Sequence, residues 1–225
     1  MKANIIIMLT HKDKTVGNAL EVFESCKDLP ILDWGFKDVG LPVDKMKELV
    51  AAMKAAGKRT SLEVVTYTEE SCMRGAKLAV ECGFDYLCGT IFFDSVFNFL
   101  KENGTKYFPF VGAISGSPSV LEGTPESMIQ QGHKLIEAGV DGFDLLAYRY
   151  KDGDPKALAT SFVAEMTVPV VIAGSIDSTE RLQAVSDIGA DSFTMGSALF
   201  DEKFIKGASF RDNLVRVLEI MDGID

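Results

Sequence analysis

The chain has 225 residues, of which 47% are hydrophobic and 25% charged, and its formal net charge is −10. This length and apolar content are enough for one sizeable core, so we expect a single domain over residues 1–225. Because an acidic surface repels both polyphosphate and anionic lipid, the charge argues against nucleic acid and membrane surfaces as partners.

The four cysteines, Cys26, Cys72, Cys82 and Cys88, form no CxxC pair. This spacing favours reduced, buried thiols in a cytoplasmic protein over a disulfide framework. The apolar run "NIIIML" near the amino terminus is too short for the core of a signal peptide or for a membrane span. It predicts a first strand instead.

Apolar runs of strand length then alternate with longer segments in which apolar residues recur three and four apart, as in amphipathic helices. Several of these segments end at a glycine just before the next apolar run, as at Gly57, Gly83, Gly139 and Gly189. The pattern predicts eight strands, near residues 3–9, 31–35, 61–67, 85–93, 107–114, 142–148, 168–173 and 192–195. Eight consecutive βα units predict an α/β fold of the closed (β/α)8 type, the TIM barrel.

Two neighbouring strands of this barrel end in the same dipeptide. Strand seven runs into Gly174 and Ser175, and strand eight runs into Gly196 and Ser197. A capping-box pattern, Asp177-x-x-Glu180, predicts a helix start immediately after the first of these corners. Because the loops after strands seven and eight of such barrels often bind phosphate through backbone N–H groups, we expect a phosphate site here.

The segment "PVVIAGSIDSTERLQAVSDIGADSFTMGSALF", residues 169–200, resembles the C-terminal quarter of the phosphate-binding TIM-barrel superfamily. That group contains N-acetylmannosamine-6-phosphate 2-epimerase and the 3-keto-L-gulonate-6-phosphate decarboxylases, among others. The resemblance implies that Gly174, Ser175, Gly196 and Ser197 hold a phosphate. Outside this segment the likeness is architectural, and it does not specify the reaction.

The catalytic patterns of these relatives are only partly present. The Asp-x-Lys-x-x-Asp run of the decarboxylases is absent from strand three, which reads "SLEVVTY". Lys37 matches the lysine that the epimerases carry after strand two, but Ala173 stands where they carry a glutamate. A metal site with two histidines is hard to build from His11 and His133, the only two histidines, and we expect neither a metal nor another cofactor.

Three acidic residues interrupt the apolar strands, and strand parity points each of them into the barrel. Asp33 and Glu63 are the candidates for acid and base, with Asp33 favoured because it lies near the predicted exit of strand two. Asp144 is either structural or catalytic. Lys37 or Lys12 would stabilise negative charge on the substrate, and Arg149 is a further cation that strand six brings to the mouth or leaves in solvent.

The predicted reaction is an isomerisation or epimerisation of a small phosphorylated sugar or related metabolite through an enediolate. A carbon–carbon lyase, an aldolase or decarboxylase, uses the same intermediate and stays open as an alternative. An FMN-binding barrel and a non-catalytic phosphometabolite-binding protein also stay open. The expected partner is the small phosphorylated substrate, and the sequence leaves a homodimer open.

Overall fold

The computed structural model describes residues 3–224, and these residues form a (β/α)8 barrel. The predicted fold class is therefore confirmed. The eight barrel strands are β1 (Asn4–Met8), β2 (Asp33–Lys37), β3 (Arg59–Val64), β4 (Tyr86–Gly89), β5 (Lys106–Phe108), β6 (Phe143–Leu145), β7 (Val170–Ile172) and β8 (Ser192–Met195).

Helices pack around the outside of this barrel. They are α1 (Ala19–Cys26), α2 (Val43–Ala55), α3 (Glu69–Cys82), α4 (Asp94–Glu102), α5 (Pro125–Ala138), α6 (Pro155–Glu165), α7 (Thr179–Ile188), α8 (Ser197–Phe200) and α9 (Phe210–Asp222). A single 3₁₀ turn, Ala147–Arg149, directly follows β6. No helix within residues 3–224 has the length and apolar character that crossing a membrane requires.

All neighbouring barrel strands pair in parallel, in the order β6-β7-β8-β1-β2-β3-β4-β5. The ring closes between β5 and β6 through a parallel bridge between Phe110 and Asp144, where the Asp144 N–H donates to the Pro109 carbonyl at 3.1 Å. Closure removes both sheet edges and turns one face of every strand toward the barrel axis. Side chains that share this inward face are therefore brought together from distant parts of the sequence.

A repeated glycine-x-aspartate sequence joins helices to strands at the amino-terminal end of the barrel. Gly83, Gly139 and Gly189 end α3, α5 and α7 in the left-handed conformation. Two residues later, Asp85, Asp141 and Asp191 accept hydrogen bonds from backbone N–H groups in or beside the preceding strand, those of Thr60 (2.8 Å), Tyr107 (3.0 Å) and Val170 (2.9 Å). These carboxylates fix the spacing between neighbouring strands at this end.

Along β2, side chains alternate between the inner and the outer face of the barrel, as strand parity predicts. Trp34 on β2 is completely buried on the outer face, where its ring meets Phe23 of α1 edge to face with centroids 5.1 Å apart. The inner face of the same strand carries Asp33, Gly35 and Lys37. The four cysteines are all buried and form no disulfide, as predicted.

The structure corrects the boundaries of β2. The predicted strand covers residues 31–35, whereas the observed strand begins at Asp33 and ends at Lys37. Asp33 is therefore the first residue of the strand and lies at the amino-terminal end of the barrel. Lys37, placed in a loop by the sequence prediction, is the last residue and lies at the mouth.

Two small hairpins extend from the mouth, beyond the carboxyl ends of the barrel strands. The first pairs Thr10–His11 with Lys14–Thr15, and the second pairs Ala113–Ser115 with Val120–Glu122. The capping box predicted at Asp177 is wrong: α7 begins at Thr179, and the Ser178 side chain caps it by accepting a hydrogen bond from the Arg181 N–H at 3.3 Å. Asp177 is instead paired with Arg181.

Asn213 on α9 is completely buried and holds the segment that follows α8. Its Oδ1 accepts from the N–H groups of Phe204 (3.1 Å) and Ile205 (2.9 Å), and its Nδ2 donates to the carbonyls of Ile205 and Ser209, each at 3.1 Å. We expect Asn213→Ala to lower the free energy of unfolding by about 2–4 kcal/mol, because it leaves buried backbone groups unsatisfied. Urea denaturation measures the loss. The exposed Asn103→Ala variant is the control, and equal stability of the two variants would contradict the assignment.

Candidate functional site

The barrel mouth contains a cavity of about 330 Å³. Its walls come from the carboxyl ends of β1, β2 and β3 and from the segments that follow β6, β7 and β8. Of the residues predicted from the sequence, the lining includes Lys37, Glu63, Gly174, Ser175, Gly196 and Ser197. The structure thus brings the predicted phosphate corners and two of the predicted catalytic side chains into one cavity.

The residues of the two glycine–serine corners line this cavity and have unpaired backbone donors. The N–H groups of residues 174–176 and 197–198 donate to no acceptor within the described chain. Gly174 and Ser175 have φ values of +89° and +52°, so the chain leaves β7 in the left-handed region. Unpaired N–H groups that surround one space form a site for an anion, because each one gains a hydrogen bond when an oxygen enters.

Close contacts at both corners, together with a positive φ at Gly174, favour glycine there. A Cβ at Gly196 would lie 2.7 Å from the Met8 carbonyl oxygen and 2.9 Å from that of Thr10. A Cβ at Gly174 would lie 3.0 Å from the Arg149 Cγ, and the positive φ of Gly174 disfavours any side chain there. The two corners are therefore packed directly against β1 and against the Arg149 side chain.

Charged side chains lie at the rim of the cavity, around these corners. Arg181 donates to the Ser175 carbonyl and to Asp177 Oδ1, the latter at 2.9 Å, which ties the β7 corner to α7. His11 of the first hairpin lies 2.9 Å from Asp201 Oδ1, just after α8. Lys203, also on the lining, makes no ion pair among the described residues, so its charge is available to an anion in the cavity.

Lys37 is the centre of a charge cluster on the opposite wall. Its side chain is about nine-tenths buried, and its Nζ lies 2.9 Å from Asp13 Oδ1 and 3.6 Å from Glu63 Oε1. Burial alone would lower the pKa of Lys37, but the charges of Glu63 and Asp13 outweigh burial and raise it. The amine therefore stays protonated at neutral pH and acts as a cation.

The sequence prediction did not single out Asp13. It lies beside Lys12 in the two-residue turn of the first hairpin, where Lys12 and Asp13 have φ values of +49° and +60°. This conformation is that of the type I′ turn, which suits a two-residue hairpin. The polar run that follows the first apolar strand, residues 10–15, was the only sequence signal. Lys12, a predicted catalytic residue, is exposed and does not line the cavity.

Asp33 does not join the other predicted residues. Its carboxylate forms a two-point ion pair with Arg59, at 2.7 Å to Nε and 2.6 Å to Nη2. Both residues line a separate cavity of about 270 Å³ at the amino-terminal end of the barrel. Asp33 points inward as strand parity predicts, but it lies at the amino-terminal end of the barrel, opposite the mouth.

Asp144 lies inside the barrel without contributing to the lining of the mouth. It is 2% exposed, and its Oδ1 has no hydrogen-bond partner. Burial and the nearby charge of Glu63 raise the pKa of Asp144 well above its usual range, against the smaller opposing effects of Lys37 and Arg149. Burial therefore favours the neutral carboxylic acid over the carboxylate at this position. Within residues 3–224, no three His, Cys, Asp or Glu side chains are grouped to bind a metal ion.

Solved structures with the same fold support the barrel assignment. No protein-family model and no curated protein matches the sequence. The chain is similar to the N-acetylmannosamine-6-phosphate 2-epimerase of Clostridium perfringens at a TM-score of 0.63 and 13% identity, over 87% of this chain and 86% of that one. It is also similar to the tryptophan synthase alpha chain of Legionella pneumophila (0.68, 15%, over 99% and 93%) and to the native KDPGal structure (0.69, 13%, over 100% and 97%).

Identities this low establish a shared fold and leave the chemistry open. These structures confirm the TIM-barrel fold that the sequence predicts. The residues of the mouth cavity are therefore the guide to the reaction.

The raised pKa of Asp144 makes the stability of the protein depend on pH. Between pH 4 and the raised pKa, the folded state holds a proton that the unfolded chain releases, so this residue reduces stability as the pH rises. The D144N variant does not titrate, and its stability relative to the wild type should increase by at most about 1.4 kcal/mol per pH unit in this range. Urea denaturation of both proteins at pH 4.5, 6 and 7.5 measures the difference, and a constant difference would contradict a raised pKa of Asp144.

Proposed function

We propose that this protein binds a small phosphorylated sugar or related metabolite and isomerises or epimerises it through an enediolate. The observation that supports this proposal is that unpaired amide N–H groups and the Lys37 cluster line one cavity. The amides at residues 174–176 and 197–198 would bind the phosphate. The opposite wall would act on the carbonyl end of the same molecule.

The chemistry follows from the charges on that wall. Glu63 would accept the proton from the carbon next to the substrate carbonyl, as general base. The carbonyl oxygen then becomes an enediolate oxyanion, and the Lys37 ammonium would stabilise the developing charge. Return of the proton from Glu63 to the former carbonyl carbon, with the hydroxyl proton passing to the oxyanion, gives isomerisation. Delivery of a proton from solvent to the opposite face of the first carbon, with Glu63 releasing its proton to solvent, gives epimerisation.

The state of Lys37 favours this reaction over an aldolase that forms a Schiff base. A Schiff base requires a neutral amine, and such lysines have a lowered pKa. Here Glu63 and Asp13 raise the pKa of Lys37. A carbon–carbon lyase that uses Lys37 only as a cation remains the second candidate, since the enediolate is the same.

Binding of phosphate is the first test. We expect inorganic phosphate and sugar phosphates to raise the melting temperature, because they bind the folded form alone. Gly174→Ala should weaken this effect by about tenfold in apparent affinity, since its Cβ displaces Arg149 and strains the corner. The matched control is Gly57→Ala, which also has a positive φ (+72°) but has no atom within 4 Å of the added Cβ. Absence of any shift with every anion would refute the phosphate site.

Turnover is the second test, made with the sugar phosphates that shift the melting temperature. We expect Glu63→Gln to lower kcat by about 10²–10⁴-fold, because the general base is lost. Lys37→Met should lower kcat by a similar factor of about 10²–10³, with loss of the oxyanion partner. Asp33→Asn should leave kcat unchanged, since its carboxylate lies at the other end of the barrel. Covalent trapping of Lys37 by borohydride with a carbonyl substrate would replace this mechanism with that of a Schiff-base lyase.

A further inference from the structure

The Asp13 carboxylate lies between two cations from opposite sides of the mouth. Lys37 ends β2, and Arg149 follows β6, which is four strands away around the ring in either direction. The same oxygen, Asp13 Oδ1, is 2.9 Å from Lys37 Nζ and 3.8 Å from Arg149 Nη2. Both cations line the cavity, so a carboxylate already stands where they converge.

Arg149 makes few strong contacts of its own. Its guanidinium has five N–H donors, yet its described partners are the Asp13 oxygen and the Ser119 carbonyl, the latter at 3.4 Å. Its stem lies close to Gly174, where the absence of a side chain leaves room for it. A guanidinium fixed at a cavity wall without a two-point partner is suited to a carboxylate or phosphate of a ligand.

Asp13 lies where solvent reaches the mouth of the barrel. It sits at the tip of a hairpin with two residues in each strand, and its side chain is 39% exposed. Neighbouring charges keep it ionised: burial favours the neutral form, but Lys37 and Arg149 outweigh this and lower the pKa of Asp13. The Thr15 hydroxyl at the base of the hairpin donates to the Lys37 carbonyl at 2.8 Å and accepts from the Lys37 N–H at 3.0 Å. These bonds hold the Lys37 backbone and do not involve the Asp13 side chain.

We propose that Lys37 and Arg149 form a carboxylate subsite, which the Asp13 carboxylate fills until a substrate carboxylate replaces it. This inference rests on the proposed function and narrows it: the substrate carries a carboxylate in addition to its phosphate. The exchange replaces one carboxylate with another, so the net charge around the two cations is unchanged. Since the Arg149 stem crosses Gly174, the subsite adjoins the amides of the β7 corner, and one short molecule can reach both.

The test compares two small probes by isothermal titration calorimetry. 2-Phosphoglycolate carries a phosphate and a carboxylate, whereas ethyl phosphate carries the phosphate alone. We expect the wild-type protein to bind 2-phosphoglycolate about tenfold more tightly than ethyl phosphate, as one charge-assisted contact provides.

Two variants assign this preference to the subsite. Arg149→Met should reduce the ratio of the two affinities to about one. Asp13→Asn should increase the ratio, because the competing charge is gone while asparagine still tolerates the left-handed turn. Arg74→Met is the control: Arg74 is an exposed residue of α3 paired with Glu70, and its loss changes the net charge equally without touching the mouth.

The outcomes separate this inference from the proposed function. If both probes bind the wild type with equal affinity, the carboxylate subsite is wrong and the phosphate site stands. The subsite is equally wrong if the wild-type preference persists unchanged in both Arg149→Met and Asp13→Asn. If neither probe binds, the phosphate site fails and the subsite fails with it.

Discussion

The buried ammonium of Lys37 is the interaction on which the mouth of this barrel depends. A cation removed from water must be paired, and here two carboxylates from different segments meet it: Glu63 from the adjacent strand β3 and Asp13 from the hairpin after β1. Pairing keeps the amine charged and draws the hairpin over the cavity. The same ammonium then determines which chemistry the site favours, because a fixed cation stabilises an oxyanion and a neutral amine forms a Schiff base.

The closed barrel makes this arrangement possible. Its strands alternate inward and outward residues, so Asp33, Gly35 and Lys37 share the inner face of β2 at successive depths. The acid at the amino-terminal end pairs with Arg59, and the lysine at the carboxyl end faces the mouth cavity. The two ends of the barrel thus differ. Carboxylate–arginine and carboxylate–backbone contacts stabilise the amino-terminal end, whereas donors and charged side chains line the cavity at the carboxyl end.

The two walls of the mouth offer a ligand different kinds of contact. On the side of β7 and β8, backbone N–H groups supply hydrogen bonds without net charge, and the glycines allow this backbone to approach β1 and Arg149 closely. On the side of β2 and β3, the Lys37 ammonium lies close to the carboxylates of Asp13 and Glu63, so opposite full charges nearly balance. Arg149 joins the two walls, since its stem packs on the β7 corner while its guanidinium faces Asp13. A ligand with one anionic end and one reactive carbonyl matches this division.

The sequence alone determined the barrel and its two glycine–serine corners, because both depend on local signals: the alternation of apolar runs with helical periodicity, glycines at helix ends, and a Gly-Ser pair after each of two neighbouring strands. It also determined the inward direction of Asp33, Glu63 and Asp144, since direction follows from parity. Only the tertiary structure decided the depth of each residue along the barrel axis. A two-residue change in the bounds of β2 moved Asp33 to the far end and Lys37 to the mouth, and strand ends are set by pairing with neighbours rather than by local preference. The charge cluster around Lys37 likewise became visible only in three dimensions. Asp13, which pairs with Lys37, is 24 positions before it in the chain, and Arg149, which pairs with the same Asp13 oxygen, is 112 positions after it.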